Sequence, residues 1–327
     1  MKLVNIEICS TNRDNCLFNF FIPSLDKIKS LKDICSITIN YNGDMLTEQV
    51  EEANNLIRQK GFELHWTYNH YLFAPRHHKI LKVRNDCDKV GPKTKYILLG
   101  DDDLEFLDGY DRHLLAAINL LEQDERVGIV SFRSQPEDKQ VIDTLMPAST
   151  QYFFVLCGGL LIRRVPCWPN LYPEELLELH GGGEERLIGC ELYREGYRGY
   201  YLHTDNYIHE QRWKENVYKC GQALYKWSWN TNDITAVMNR VEKYRDLSVP
   251  RVNFDLAWDE SREKFWLDPT NEVCFADRTT EELLNEVLAS IAKAEAAQVE
   301  ASGETASTEA EVTKVEEVVD NSTAEVN

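Results

Sequence analysis

Apolar residues recur along most of this chain in short runs separated by longer polar stretches with helical spacing. The runs at 3–9, 35–40, 62–67, 96–100, 127–132, 152–163 and 199–203 have the length and β-branched or aromatic content of strands. Between the second and third, Val50, Ala53 and Ile57 fall on one helix face, with Thr47 placed to cap its start and Gly61 to end it. The spacing predicts further helices over 76–90 and 109–123, the latter through Leu114, Ala117, Ile118 and Leu121. Strands alternating with helices in this way predict an α/β fold, a mostly parallel central sheet flanked by helices. From about 205 to 270 the pattern turns irregular and aromatic, with Tyr207, Trp213, Tyr218, Tyr225, Trp227, Trp229, Trp258 and Trp266; these rings either fill a core or face a substrate. Thr279 and Glu282 have the spacing of a capping box ahead of a helix carrying Leu283, Leu284, Val287, Leu288 and Ile291. Beyond about 298 large apolar residues become scarce, and disorder is expected.

Composition narrows the class. The chain has 327 residues, 43% hydrophobic and 28% charged, as expected of a soluble protein with one large or two ordinary domains. No apolar run approaches the roughly 18 residues of a membrane span, and Leu3–Ile8 reads as a strand rather than as part of a signal peptide. The nine cysteines include no CxxC pair, which argues against a disulfide framework or a thiolate zinc site and for a reducing cytoplasm. Residues 281–327 hold 12 acidic and 2 basic residues, a net of −10, so about half of the overall −19 belongs to the tail and the body is only mildly acidic.

Three clusters carry candidate chemistry. Asp101, Asp102 and Asp103 end the apolar run Tyr96–Leu99, at the carboxyl edge of a sheet where open α/β folds bind ligands. In an extended strand Asp101 and Asp103 share a face and converge on one cation while Asp102 points away. Carboxylate donors of this kind suit Mg²⁺ or Mn²⁺, which implies a diphosphate as the remaining ligand. The competing reading is a solvated acidic turn. Gly181-Gly182-Gly183-Glu184-Glu185 opens a helix-like run; it lacks the Lys-Ser/Thr of a P-loop, and its carboxylates are either dipole partners of that helix or a general base. His209 follows a strand-like stretch and is a candidate extra ligand for Mn²⁺, with His203 as its competitor.

In this order the clusters resemble inverting glycosyltransferases of the GT-A fold, most closely family two. The quoted motifs are Ser10-Thr11-Asn12-Arg13 after the first strand, Asp101-Asp102-Asp103, the strand Cys157–Arg164, Glu184-Glu185 with Gly196-Tyr197, and His209. The resemblance spans roughly residues 1–212. It implies a nucleotide-diphosphate sugar donor, with Thr11, Arg13 and Arg76 beside the nucleotide and Asp101 and Asp102 contacting the donor. Asp101, Asp103 and His209 would hold Mn²⁺ or Mg²⁺, and Glu185, or else Glu184, would be the base. The resulting partition is a catalytic core over 1–212, an acceptor-side extension over 213–275, a helix over 276–297 and an acidic tail over 298–327.

Two departures bear on this. Glu stands where the family has the Asp of its Glu-Asp motif, and Asn40-Tyr41-Asn42-Gly43-Asp44 stands where an early base-reading Asp is common. The rival classes are a sugar nucleotidyltransferase, which the lack of glycine in residues 10–15 disfavours, and a non-catalytic glycan-binding protein. The acceptor is a glycan, a protein, a lipid head group or a modified nucleobase, with a glycan ahead of a nucleic-acid base. Basic residues between Arg76 and Lys95 either face solvent beside the donor or meet nucleic-acid phosphates.

Overall fold

A computed structural model describes residues 2–10, 16–42, 47–69, 94–133, 143–148, 158–164, 192, 196–204, 207–208 and 271–302. Its main body is a nine-stranded sheet formed by β1 (Val4–Ser10), β2 (Cys35–Asn42), β3 (Glu63–Asn69), β4 (Tyr96–Asp101), β6 (Val127–Arg133), β7 (Thr144–Pro147), β8 (Leu160–Arg163), β9 (Arg198–His203) and β11 (Val273–Cys274). The spatial order is β11-β7-β9-β6-β8-β4-β1-β2-β3. Only β7 and β8 run against the rest, so the sheet is mixed but mostly parallel, as the sequence predicts. A separate two-stranded ribbon joins β5 (Glu105–Phe106) to β10 (Tyr207–Ile208).

The helices follow the apolar periodicity. α1 (Thr47–Gln59) buries Ala53 and Ile57. It ends in a Schellman arrangement: the Phe62 amide reaches the Ile57 carbonyl and the Gly61 amide the Arg58 carbonyl, with Gly61 left-handed at φ 88°. α2 (Tyr110–Gln123) buries the predicted stripe Leu114, Ala117, Ile118 and Leu121. The helix predicted over 76–90 lies outside the described residues, as does 152–157 of the sixth predicted strand; of its described residues, 158–163, the last four form β8. The helical stretch made of a π turn (Leu17–Phe21), an α turn (Ile22–Ser24) and a 3₁₀ segment (Leu25–Leu31) has no counterpart in the periodicity reading. Neither do the short strands β5, β7, β10 and β11.

α3 (Thr280–Ser302) starts with the predicted capping box. The Glu282 amide donates to Thr279 Oγ1 at 3.2 Å, and Glu282 Oε2 accepts from the Thr279 amide at 2.8 Å. Leu283 and Val287 are buried, and the Asn119 amide group donates to the Leu283 carbonyl at 3.0 Å. The helix runs past 297, where the sequence partition ended it, because Ala, Glu and Gln there are strong helix formers. No helix among the described residues is long and apolar enough to cross a membrane.

Two features of the core fix the site's surroundings. Phe21, Phe106, Tyr110 and Phe132 form a chain of ring contacts with centroids 5.9, 4.6 and 5.4 Å apart, and the Tyr110 hydroxyl donates to the Gly158 carbonyl at 2.6 Å. These rings fasten β5 and α2 to β6. On β1 and β2, Asn5, Glu7, Ser36 and Thr38 occupy one face and are nevertheless fully buried. Asn5 makes this tolerable by accepting from Ser36 (3.1 Å) and Thr38 (3.0 Å) while donating to Glu7 (3.2 Å).

Gly128 in β6 sits against Tyr197, so a Cβ there would come within 2.7 Å of the tyrosine Cβ. Gly128→Ala is therefore expected to lower stability by about 1–3 kcal/mol, the usual cost of overpacking. A urea midpoint equal to that of the parent protein would refute this.

Candidate functional site

The carboxyl ends of β3, β2, β1 and β4 lie side by side along one edge of the sheet. Register places Thr67, Asn40, Cys9 and Asp101 in one row across these four strands. Asp101 is the last residue of β4, and the chain then folds back at once: the Leu104 amide donates to the Asp101 carbonyl at 3.2 Å. The alternation expected for Asp101 and Asp103 therefore stops at Asp101, because a reverse turn, and not an extended strand, carries Asp102 and Asp103. Nor is the turn a solvated one. Asp101, Asp102 and Asp103 are exposed by only 6%, 1% and 3%.

Asp102 has a role that periodicity did not reveal. Its Oδ2 accepts a 2.8 Å hydrogen bond from Ser10 Oγ, which ties the turn after β4 to the last residue of β1. Ser10 is the last described residue before Thr11, so this bond holds the end of β1 next to the aspartates. The signal in the sequence was slight, a serine at the end of a buried strand.

On its other side the turn leads straight into β5. β5 pairs antiparallel with β10, Tyr207 opposite Phe106 and Ile208 opposite Glu105. β5 begins two residues after Asp103, and β10 ends one residue before His209. Chain segments far apart in sequence, one leading to Thr11 and the other to His209, are thus each hydrogen-bonded to the aspartate turn or to the strand that follows it. Thr11, Arg13, Arg76, Glu184, Glu185 and His209 themselves lie outside the described residues. The short ribbon is the part of the site that sequence reasoning missed, because two-residue strands leave no periodic signal.

The donor set fits a hard divalent cation in its chemistry, since Asp101 and Asp103 offer carboxylate oxygens at the edge where open sheets bind ligands. Among the described residues no group of three or more His, Cys, Asp or Glu side chains is arranged to hold a metal ion. A Mg²⁺ or Mn²⁺ ion here would complete its coordination from beyond these residues, in the way Mg²⁺ commonly combines one or two carboxylates with substrate phosphate oxygens.

No protein-family model matches the sequence, and no curated protein does. Solved structures do resemble it. TarS of S. aureus, residues 1–349 in complex with UDP-GlcNAc, is 14% identical, with 81% of this chain and 78% of that one covered and a TM-score of 0.45. The mannosyltransferase PcManGT of Pyrobaculum calidifontis, in complex with GDP-Man and Mn²⁺, is 15% identical over 92% of this chain and 79% of its own, with a TM-score of 0.46. The 4-diphosphocytidyl-2C-methyl-D-erythritol synthase of Anaerococcus prevotii is 12% identical over 67% and 95%, with a TM-score of 0.43.

Proposed function

We propose that this chain is a metal-dependent glycosyltransferase that moves a sugar from a nucleotide-diphosphate donor to an acceptor hydroxyl with inversion, acting in the cytoplasm. One observation supports this above the others: the end of β1 and the end of β10 are both tied to the chain around a buried aspartate turn at the carboxyl edge of the sheet. That is where a sugar nucleotide would be held.

In this reading Asp101 and Asp103, with His209, hold Mn²⁺ or Mg²⁺. When bound, the ion offsets negative charge on the departing nucleoside diphosphate. Thr11, Arg13 and Arg76 orient the nucleotide, and Asp102 keeps the turn in place through Ser10. Glu185, or Glu184 beside it, accepts the proton of the acceptor hydroxyl as its oxygen attacks the anomeric carbon from the face opposite the leaving group. A single displacement of this kind inverts that carbon. A glycan is the favoured acceptor.

Thermal unfolding with a panel of UDP- and GDP-sugars tests the reading. With Mn²⁺ present, one donor should raise the melting temperature, because a ligand at 100 times its dissociation constant adds about 2.7 kcal/mol to the native state. EDTA should abolish the rise, and prolonged incubation should release nucleoside diphosphate. Release of pyrophosphate when the protein is given a nucleoside triphosphate and a sugar 1-phosphate would instead indicate a nucleotidyltransferase, and glycan binding without donor turnover a non-catalytic binding protein. Either result overturns the proposal.

A further inference from the structure

A second buried polar cluster lies where β9 leaves the sheet, and it plays no part in the chemistry above. Its centre is His113 in the first turn of α2. The imidazole Nε2 is 2.9 Å from Asp143 Oδ1 and Nδ1 is 2.7 Å from Thr204 Oγ1. An ionised carboxylate only accepts, so Nε2 carries the hydrogen; Nδ1 of the neutral ring is then an acceptor, and the Thr204 hydroxyl donates to it. His113 and Thr204 are 5% and 1% exposed, so no substrate reaches this relay and its function is to hold chain segments together.

Asp143 is itself over-determined. Its backbone is left-handed at φ 55°, its carbonyl accepts from the Phe275 amide at 2.8 Å, and its Oδ2 is 2.8 Å from Arg112 Nη1. Arg112 also donates to the carbonyls of Phe275 (2.7 Å), Ala276 (2.9 Å) and Arg278 (2.6 Å). The Phe275 ring meets His113 edge-on, with centroids 5.6 Å apart. Among the described residues the charged groups acting on His113 are thus Asp143 ahead of β7, and Arg112 and Asp111 on its own helix. Thr204 is the residue directly after β9, and β10 starts three residues later.

We propose that His113 is a positioning residue: as a neutral imidazole bridging Asp143 and Thr204, it fixes the exit of β9 so that β10 docks on β5 beside the aspartate turn. Protonation turns Nδ1 into a donor, forces the Thr204 hydroxyl to rotate, and places a second cation beside Arg112 in a buried site. Burial holds the imidazole below its ordinary range, an effect partly opposed by the hydrogen bond to Asp143. As pH falls below about 6.5 the unfolded chain therefore takes up this proton before the native one, so native stability is lost from there downward through the lower native value. The positioning rests on the fold alone, while its consequence for the donor rests on the function proposed above.

Amide hydrogen exchange of the parent protein and His113→Gln, corrected for intrinsic rates, separates these possibilities. Between pH 7.5 and 5.5 the parent should lose about tenfold in protection at Glu105–Phe106 and Tyr207–Ile208, with β1 and β2 unchanged, because local opening is coupled to the proton. The glutamine variant, which does not titrate, should show no such change. Thr204→Val, which removes only the hydroxyl, should be poorly protected in the ribbon at both pH values. Equal losses in the parent and His113→Gln, or none in the parent, would overturn the proposal. In parallel, calorimetric affinity for UDP or GDP with Mn²⁺ should fall over the same range in the parent by about tenfold more than in His113→Gln. An equal fall in both breaks the link to the donor. Absence of nucleotide binding at either pH counts against the proposed function only, and the exchange data still decide the role of His113.

Discussion

Asp103→Asn is expected to reduce sugar transfer by about a thousandfold or more, which corresponds to roughly 4 kcal/mol of lost transition-state stabilisation. Asparagine keeps the shape of the side chain and removes its charge. The turn is closed by the backbone bond from Leu104 to Asp101 and anchored by Ser10 to Asp102, neither of which passes through the Asp103 side chain. The loss should therefore fall on cation and diphosphate binding and not on the closure of the turn. The unliganded variant should melt close to the parent, and the Mn²⁺-dependent shift with a sugar nucleotide should vanish. A variant that transfers sugar at the parent rate would remove Asp103 from the metal site.

The largest expected effect on stability lies in β8. Arg163 is buried, and its guanidinium donates to the carbonyls of Leu121, Asp124 (3.2 Å) and Val127 (2.9 Å), around the end of α2. It also stacks over the Tyr96 ring, with its central carbon 5.4 Å from the ring centre. Helix ends leave carbonyls without intrahelical partners, and this side chain supplies their donors. Arg163→Met keeps much of the apolar stem while stranding several buried acceptors, which should cost about 3 kcal/mol or more. Arg163→Lys should recover only part, because an ammonium lacks the planar fork that reaches several carbonyls at once. Urea unfolding monitored by fluorescence measures both; a methionine variant within 1 kcal/mol of the parent would show, on the scale of single hydrogen bonds, that these contacts add little.

The parts of this fold that were legible are those where one physical signal acts alone. Tyr96–Gly100 is a continuous apolar run and is buried on both faces. α1 and α2 repeat their apolar positions at helical spacing, and Thr279 with Glu282 caps α3 through bonds local to the sequence. Asn5 and Glu7 behave differently. Their alternation with Val4, Ile6 and Ile8 resembles a half-exposed strand, yet both are buried because Ser36 and Thr38 on the neighbouring strand satisfy Asn5. Only tertiary pairing supplies those partners. At the site, the aspartates stood out in the sequence as carboxylates at a strand end. A turn there was the competing reading, and only its burial was hidden; the Ser10 tie and the β5–β10 ribbon were not legible, because they depend on contacts between residues about a hundred positions apart or on strands too short to show a period.

The ribbon has a further consequence. Residues 209–270 depart from β10 and the chain returns at β11, and both strands are hydrogen-bonded to the core, one to β5 and the other to β7. Loop-closure entropy grows only slowly with length, so with β10 and β11 both paired, the number of residues between them has a small effect on the framework. A change of length between residues 210 and 270 should therefore leave the pairing of β5 with β10 and of β7 with β11 in place.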